Sequence, residues 1–355
     1  MITYLKIIIS LLVFFTTAFQ CISQKQHKVL ILGIDGCRSD ALELANTPTI
    51  DSLKSTGIFS YTSWHLGKTK SGPGWSSMLT GVWDSKHRVN DNQFTNNNFS
   101  IYPFFPKIYK KYNPSSQAYM VIGWKSLYEN AKKNDWGNCV LGKNDNDCVQ
   151  KTIQLLKNEN VDIVMIHFDA VDFNGHTSGF ELDNPKYIHA IEKVDSQIKS
   201  VLFALKSRAN YKNEDWLILS STDHGGKGLN HSGNSIQERR IWWLASGENL
   251  PVVEIQSEDP GSLFYPENKY NENLAEFSPS IVDLAATALH HLIPELTNED
   301  FATMNFDGRS WLNFSVEHLS AQWGKPTVNE DKLAHEIKIE SPYFKVKQKL
   351  NNYKK

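Results

Sequence analysis

The sequence predicts an α/β fold: a largely parallel central sheet with helices on both faces and small cap insertions. Three observations carry this prediction. Short apolar runs alternate along the chain with longer amphipathic segments, the pattern of strands and crossover helices. The runs are apolar on successive residues, as strands of a buried sheet are. Several of them stop in or just before an acidic residue or a histidine, and open α/β folds place their sites at such carboxyl ends.

The candidate strands are 28–34, 118–123, 161–168, 215–221 and 240–246. The first, from Lys28 to Ile34, runs straight into Asp35-Gly36. Ser71-Gly72-Pro73-Gly74-Trp75 then puts a hydroxyl just before a short helix that closes at Thr80-Gly81, and the Asn-rich stretch 90–98 reads as a loop. Cys139 and Cys148 flank a polar segment: they could close a small disulfide loop in an oxidising compartment or stay as free thiols, and their spacing is no zinc ribbon. Helices are expected over Asp147 to Asn158, with Val149, Ile153 and Leu156, and over Lys186 to Lys206. In the second, Ile188, Ile191, Val194, Ile198, Val201 and Leu205 make one apolar stripe. Asp195 lies in that helical repeat and is read as a structural hydrogen-bonding acid.

Strand 161–168 is followed by Asp172-Phe173-Asn174-Gly175-His176, and strand 215–221 by Asp223-His224-Gly225-Gly226, with His231 seven residues further on. Trp242-Trp243 is read as core ahead of pocket wall, and 258–273 as a loop. The run Ile281 to Leu292 is helix-like and carries His290 and His291. Residues 336–355 are lysine-rich with weak periodicity, which reads as a solvated tail or a terminal helix.

Residues 1–23 have the layout of a secretory signal: Lys6, an apolar stretch from Ile7 to Phe15, then small and polar residues up to Ser23. The stretch is short for a membrane span, which takes about 20 apolar residues. Cleavage near Ser23 is favoured over lipidation at Cys21, because Phe19 and Gln20 sit where small residues are needed. A periplasmic or secreted product with no stable membrane span follows, its catalytic domain running over 24–335. A net charge of −2 gives no reason to expect a nucleic-acid polymer as partner.

The acids and histidines at the strand ends, with the Ser71 hydroxyl, form the inventory of a two-metal hydrolase. Each taken alone is more often an N-cap or a surface group. Independent structural causes do not end several strands in complementary ligands.

In their order along the chain, these motifs resemble the alkaline phosphatase superfamily, and within it the type I phosphodiesterase and nucleotide pyrophosphatase family, from roughly Lys28 to Leu292. The resemblance implies that Asp35, in GIDGCRSDAL, binds metal, and that the nucleophile is Ser71, nine residues before Thr80. It puts a phosphate-contacting asparagine at Asn92. One zinc would be held by Asp35, Ser71, Asp223 and His224, and a second by Asp172, His176 and His231. His231 fits superfamily members that place the last histidine soon after Asp-His-Gly, with His290 and His291 as alternatives.

Trp75 stands where sulfatases of the superfamily need arginine. The expected activity is therefore hydrolysis of small-molecule phosphate diesters or pyrophosphates through a phosphoseryl intermediate. Phosphomonoester hydrolysis is the alternative, with Lys70 and Arg38 as candidate phosphate neutralisers; a sulfatase or a non-catalytic binding protein ranks below it. Segments Ser100 to Asp145 and Glu248 to Phe277 are the candidate caps.

Overall fold

The computed structural model describes residues 25–158, 160–263, 271 and 278–312, together with the strands at 327–328, 336–340 and 344–349. The signal-peptide reading of 1–23 and most of 264–277 lie outside the described residues.

The strands are β1 (Gln26–Ile34), β2 (Gly57–Trp64), β3 (Ala118–Ile122), β4 (Asn138–Leu141), β5 (Ile163–Phe168), β6 (Glu214–Ser221), β7 (Arg240–Ser246) and β8 (Val253–Ser257). A C-terminal group follows: β9 (Thr327–Val328), β10 (Glu336–Glu340) and β11 (Phe344–Lys349). They form one sheet in the order β4-β3-β5-β1-β6-β7-β2-β8-β11-β10-β9. Through β8 the ladders are parallel except those on either side of β7, so β7 alone of these eight strands runs against the rest. The central, adjacent position of β1 and β6 brings their carboxyl ends side by side, which is what positions the site.

Side-chain alternation along the strands splits the core in two. Val29, Ile31, Met165, Leu217 and Leu219 point to one face, where they meet helix α1 (Ser71–Thr80). Leu30, Leu32, Ile34, Val164, Ile166 and Phe168 point to the other, under α2 (Asp145–Asn158), α3 (Ala170–Ser178) and α4 (Pro185–Lys206). A fifth helix, α5 (Asp283–Leu292), covers the first face. The stripe of α4 is buried at Ile191, Val194, Ile198, Val201 and Leu205. Each fully buried side chain of this kind contributes about 1.5–3 kcal/mol. Trp242 and Trp243 sit on opposite faces of β7 and are both core.

Two expectations differ from the structure, and one alternative left open is decided. Ser100 to Asp145 contains β3 and β4 with helices Phe105–Tyr112 and Lys125–Lys133, so it completes a sheet edge where a cap was expected. Much of 336–355 is strand, where a tail or helix was expected: β10 and β11 pair antiparallel, and β11 pairs with β8. The alternation in EIKIE and FKVKQK is a strand period that the lysine content hides. Cys139 and Cys148 are free thiols.

Candidate metal centre

The two central strands set the site. Asp35 directly follows β1, its N–H donating to Phe168 O at 2.9 Å. The chain then turns through Gly36 at φ +64°, and a Cβ there would lie 2.5 Å from Asp172 Oδ1, so only glycine lets this turn approach α3. Tyr187 fixes the turn: its hydroxyl donates to Gly36 O at 2.6 Å and accepts from Arg38 N at 2.9 Å. Beyond β6, the Asp223 Oδ1 atom accepts from Gly36 N at 3.2 Å, which ties the two strand ends together. Helix α3 presents Asp172 and His176 one turn apart, with His176 Nε2 3.3 Å from Asp172 Oδ2.

Ser71 opens α1 and is buried, its Oγ 3.3 Å from His224 Nε2. That nitrogen lies 3.3 Å from Asp223 Oδ2 and 3.6 Å from Asp35 Oδ1. Beside this cluster, His176 Nε2 is 3.1 Å from His231 Nε2, which is 3.9 Å from Asp172 Oδ1. The rings of His224 and His231 stack at 3.8 Å, so the two clusters adjoin. Asn92 reaches the start of α1, where its Oδ1 accepts from Gly72 N at 2.9 Å. A Cβ on Gly72 would lie 2.2 Å from Asp91 O, so the glycine is what admits the Asn92 loop. The Gly72 N–H is thereby engaged by Asn92, and the Asn92 amide NH₂ is the donor left for a ligand.

The donor set fits metal. All three histidines hold their Nδ1 against a backbone carbonyl: His224 on Gly225 O at 2.7 Å, His176 on Leu229 O at 2.8 Å, His231 on Thr69 O at 2.8 Å. This fixes the proton on Nδ1 and leaves each Nε2 lone pair facing the cluster, the arrangement that orients imidazole ligands. Each carboxylate keeps one buried oxygen without a hydrogen-bond partner: Asp35 Oδ1, Asp172 Oδ1 and Asp223 Oδ2. Buried acceptors left this way are costly unless an ion satisfies them.

Electrostatics agree. Burial raises Asp172 to about 9, with the charges of Asp35 and Asp169 adding to it. Asp223 is pushed well above the usual carboxylate range by burial and by Asp35 and Asp172. At Asp35, burial opposes ionisation, but the hydrogen bond with His167 and the nearby imidazoles outweigh it and hold the group at about 2. Burial lowers His224 to about 4 and His231 to about 3. Three crowded acids without a cation cannot all ionise; divalent ions among them would remove the conflict.

Two residues support the site in ways the sequence did not show. Trp75 Nε1 donates to Asp35 Oδ2 at 2.9 Å, and His167 Nε2 approaches the same oxygen at 3.2 Å. A histidine inside the apolar run of β5 was the only sequence signal for His167. Arg38 is used structurally, bonded to Asp40 at 2.7 and 2.9 Å and to Phe180 O at 2.9 Å. Asp195 caps the helix Pro48–Lys54 by accepting from Thr49 N and Ile50 N at 3.1 and 2.8 Å. His290 and His291 are away from the site, on Ser310 Oγ and Asp215 O.

Comparison with known proteins gives two adjoining family matches. The family model for type I phosphodiesterase / nucleotide pyrophosphatase matches residues 29–134, and that of the metalloenzyme superfamily matches 133–236. The chain is 24% identical over 226 residues to ectonucleotide pyrophosphatase/phosphodiesterase family member 3 of Rattus norvegicus, covering 56% of this chain and 25% of that protein. It is 21% identical over 238 residues to family member 7 of Mus musculus, covering 61% of this chain and 53% of that one. The chain thus spans a quarter to about half the length of these relatives.

Among solved structures, a sulfatase-like protein of Bacteroides thetaiotaomicron superposes with a TM-score of 0.57 at 14% identity, over 91% of this chain and 82% of that one. Murine ectonucleotide pyrophosphatase / phosphodiesterase 5, as an inactive variant in complex with AMP, superposes with a TM-score of 0.50 at 15% identity, over 75% and 95%. These likenesses show the fold. The two family models, which adjoin over residues 29–236, add that the chain is similar in sequence to the type I phosphodiesterases and nucleotide pyrophosphatases and to the metalloenzyme superfamily.

Proposed function

We propose that this chain is a two-zinc hydrolase of small phosphate diesters or pyrophosphates, with Ser71 as nucleophile. The observation that carries the reading is Ser71 Oγ at the start of α1, 3.3 Å from His224 Nε2 and beside three carboxylates with orphaned oxygens. Asp35, Ser71, Asp223 and His224 would hold one ion, and Asp172, His176 and His231 the other. Bound there, two divalent ions lower the proton affinity of a hydroxyl and neutralise phosphoryl oxygens.

Ser71 Oγ releases its proton to solvent and forms a bond to phosphorus while the ester or anhydride P–O bond opposite it breaks, the leaving oxygen departing with the electron pair. The N-terminus of α1 faces the negative charge that gathers on the equatorial oxygens. The Asn92 NH₂, held by its bond to Gly72, donates to one of them. Water then attacks the phosphoseryl group; the P–Oγ bond breaks and Ser71 recovers its proton.

A phosphomonoesterase is the second reading, because Lys70 precedes the nucleophile and its Nζ has no hydrogen bond or ion pair among the described residues. Sulfatase chemistry is disfavoured: Trp75, in place of arginine, is fully buried against Asp35 and faces no substrate. The sequence pattern of 1–23 supports export, and among the described residues no helix is long and apolar enough to cross a membrane.

Rates on bis-p-nitrophenyl phosphate, p-nitrophenyl phosphate and p-nitrophenyl sulfate, with zinc-loaded protein, test the proposal. Diester preference is expected. Monoester preference would transfer the site to phosphatase chemistry with Lys70 as the extra donor, and inertness toward all three would leave a binding protein.

A further inference from the structure

At the opposite ends of β1 and β6 a second group of metal-ligating side chains converges. His27 and Asp215 are register partners in the parallel ladder, so their side chains leave the same face of the sheet. Helix α5 covers that face, and its last turn carries His291. The His27 and His291 rings meet edge to face, 4.9 Å apart at 82°. His27 Nδ1 lies 3.1 Å from Asp215 Oδ2 without hydrogen-bond geometry, and His27 Nδ1, His27 Nε2 and Asp215 Oδ1 are all buried atoms with no hydrogen-bond partner. His291 Nε2 donates to Asp215 O at 2.9 Å, which leaves its Nδ1 as a lone pair.

One donor atom from each residue falls within 4.8 Å of the other two. An unsatisfied buried polar atom is costly to the fold. Three such atoms in one three-residue cluster therefore call for a ligand.

We propose that His27, Asp215 and His291 bind a single transition-metal cation of the zinc class, as a structural clip about 25 Å along β1 from the Ser71 site. Two imidazoles and one carboxylate suit Zn²⁺ or Co²⁺ better than Mg²⁺ or Ca²⁺, which take oxygen ligands. Tetrahedral donors about 2.1 Å from an ion lie about 3.4 Å apart, so the three side chains draw in by about an ångström. A cleft of about 610 Å³ borders His27 and includes Asp162 and Glu295, giving a cation a solvent path and a fourth, water ligand. The clip would join the start of β1, the start of β6 and the end of α5, three points far apart in sequence, and would stabilise the folded chain by binding it alone.

Co²⁺ is the probe, since its visible absorption reports its coordination. Equilibrium dialysis of the metal-stripped full chain should find one more bound equivalent in the wild type than in His27→Gln/His291→Gln. The Asp223→Asn variant should lose metal at the Ser71 site yet keep the additional equivalent, so failure of this inference is distinguishable from failure of the proposed function. A Co²⁺-soaked crystal of the wild type does not depend on how the variants fold: anomalous density among His27, Asp215 and His291 is expected. Absence of that density at saturating Co²⁺, or equal stoichiometry in wild type and double variant, would overturn the proposal.

Discussion

At the amino end of β1, Lys28 is fully buried, its Nζ donating to Val161 O at 2.5 Å with Asp162 Oδ1 at 3.4 Å and Glu214 Oε1 at 4.0 Å. Glu214 is itself held by Arg208 through two bonds of 2.8 and 2.9 Å and by Trp216 Nε1 at 2.8 Å. At the carboxyl end of the same strands, Asp35, Asp172 and Asp223 converge, and among the described residues no lysine or arginine forms an ion pair with any of them. Around Lys28 and Glu214 each buried charge meets its opposite; around Asp35 like charges gather and oxygens are left unbonded. Paired burial serves the fold, whereas uncompensated burial marks the place where a ligand completes the structure.

The largest effect should come from the carboxyl end. Ser71→Ala is expected to lower kcat by at least about 10³-fold while zinc content, read by elemental analysis, stays near that of the wild type. Equal loss of zinc would make Ser71 chiefly a ligand. At the paired end, Glu214→Gln should leave activity intact but destabilise the protein by about 3 kcal/mol in denaturant unfolding, since Arg208 and Lys28 lose a buried partner. A neutral result there would erase the contrast.

Asn92→Ala should lower kcat by about 10²-fold with a smaller change in KM, because its donor acts on charge that develops during the reaction. A change confined to KM would make Asn92 a binding residue only.

The smallest effect is a pH trend in the metal-free protein. Asp172, raised by burial from 3.8 to about 9, stays protonated in the fold where the unfolded chain has released the proton, so its contribution is lost as pH rises through that interval. Asp223 acts in the same direction. His224 and His231, lowered by burial from 6.5, act in the opposite direction, with loss as pH falls below 6.5. Between about pH 7 and 9 the carboxylates therefore dominate, and thermal unfolding should show the metal-free protein losing stability with rising pH while the zinc-loaded protein does not. Parallel pH profiles with and without zinc would mean that the acids are not metal ligands.

The carboxyl end was the more legible of the two in the sequence. Asp35 directly follows an apolar run, Asp223 and His224 come a few residues after one, and the helix spacing of Asp172 and His176 needs no tertiary information. The hold of Trp75 and His167 on Asp35 was not legible, because both come from elements distant from Asp35 in sequence. Away from the central strands, β2 mixes aromatic and hydroxyl residues in GIFSYTSW and the edge strand β4 is only four residues long, so neither gave a clear period. The His27–Asp215–His291 group depends on strand register, which no local pattern states.

The most direct test of the central claim is the stereochemical course at phosphorus, followed with a chiral phosphorothioate diester in heavy-oxygen water. Displacement by Ser71 and then by water inverts the centre twice, so retention of configuration is predicted. Net inversion would show a single displacement by water and would contradict Ser71 as the nucleophile.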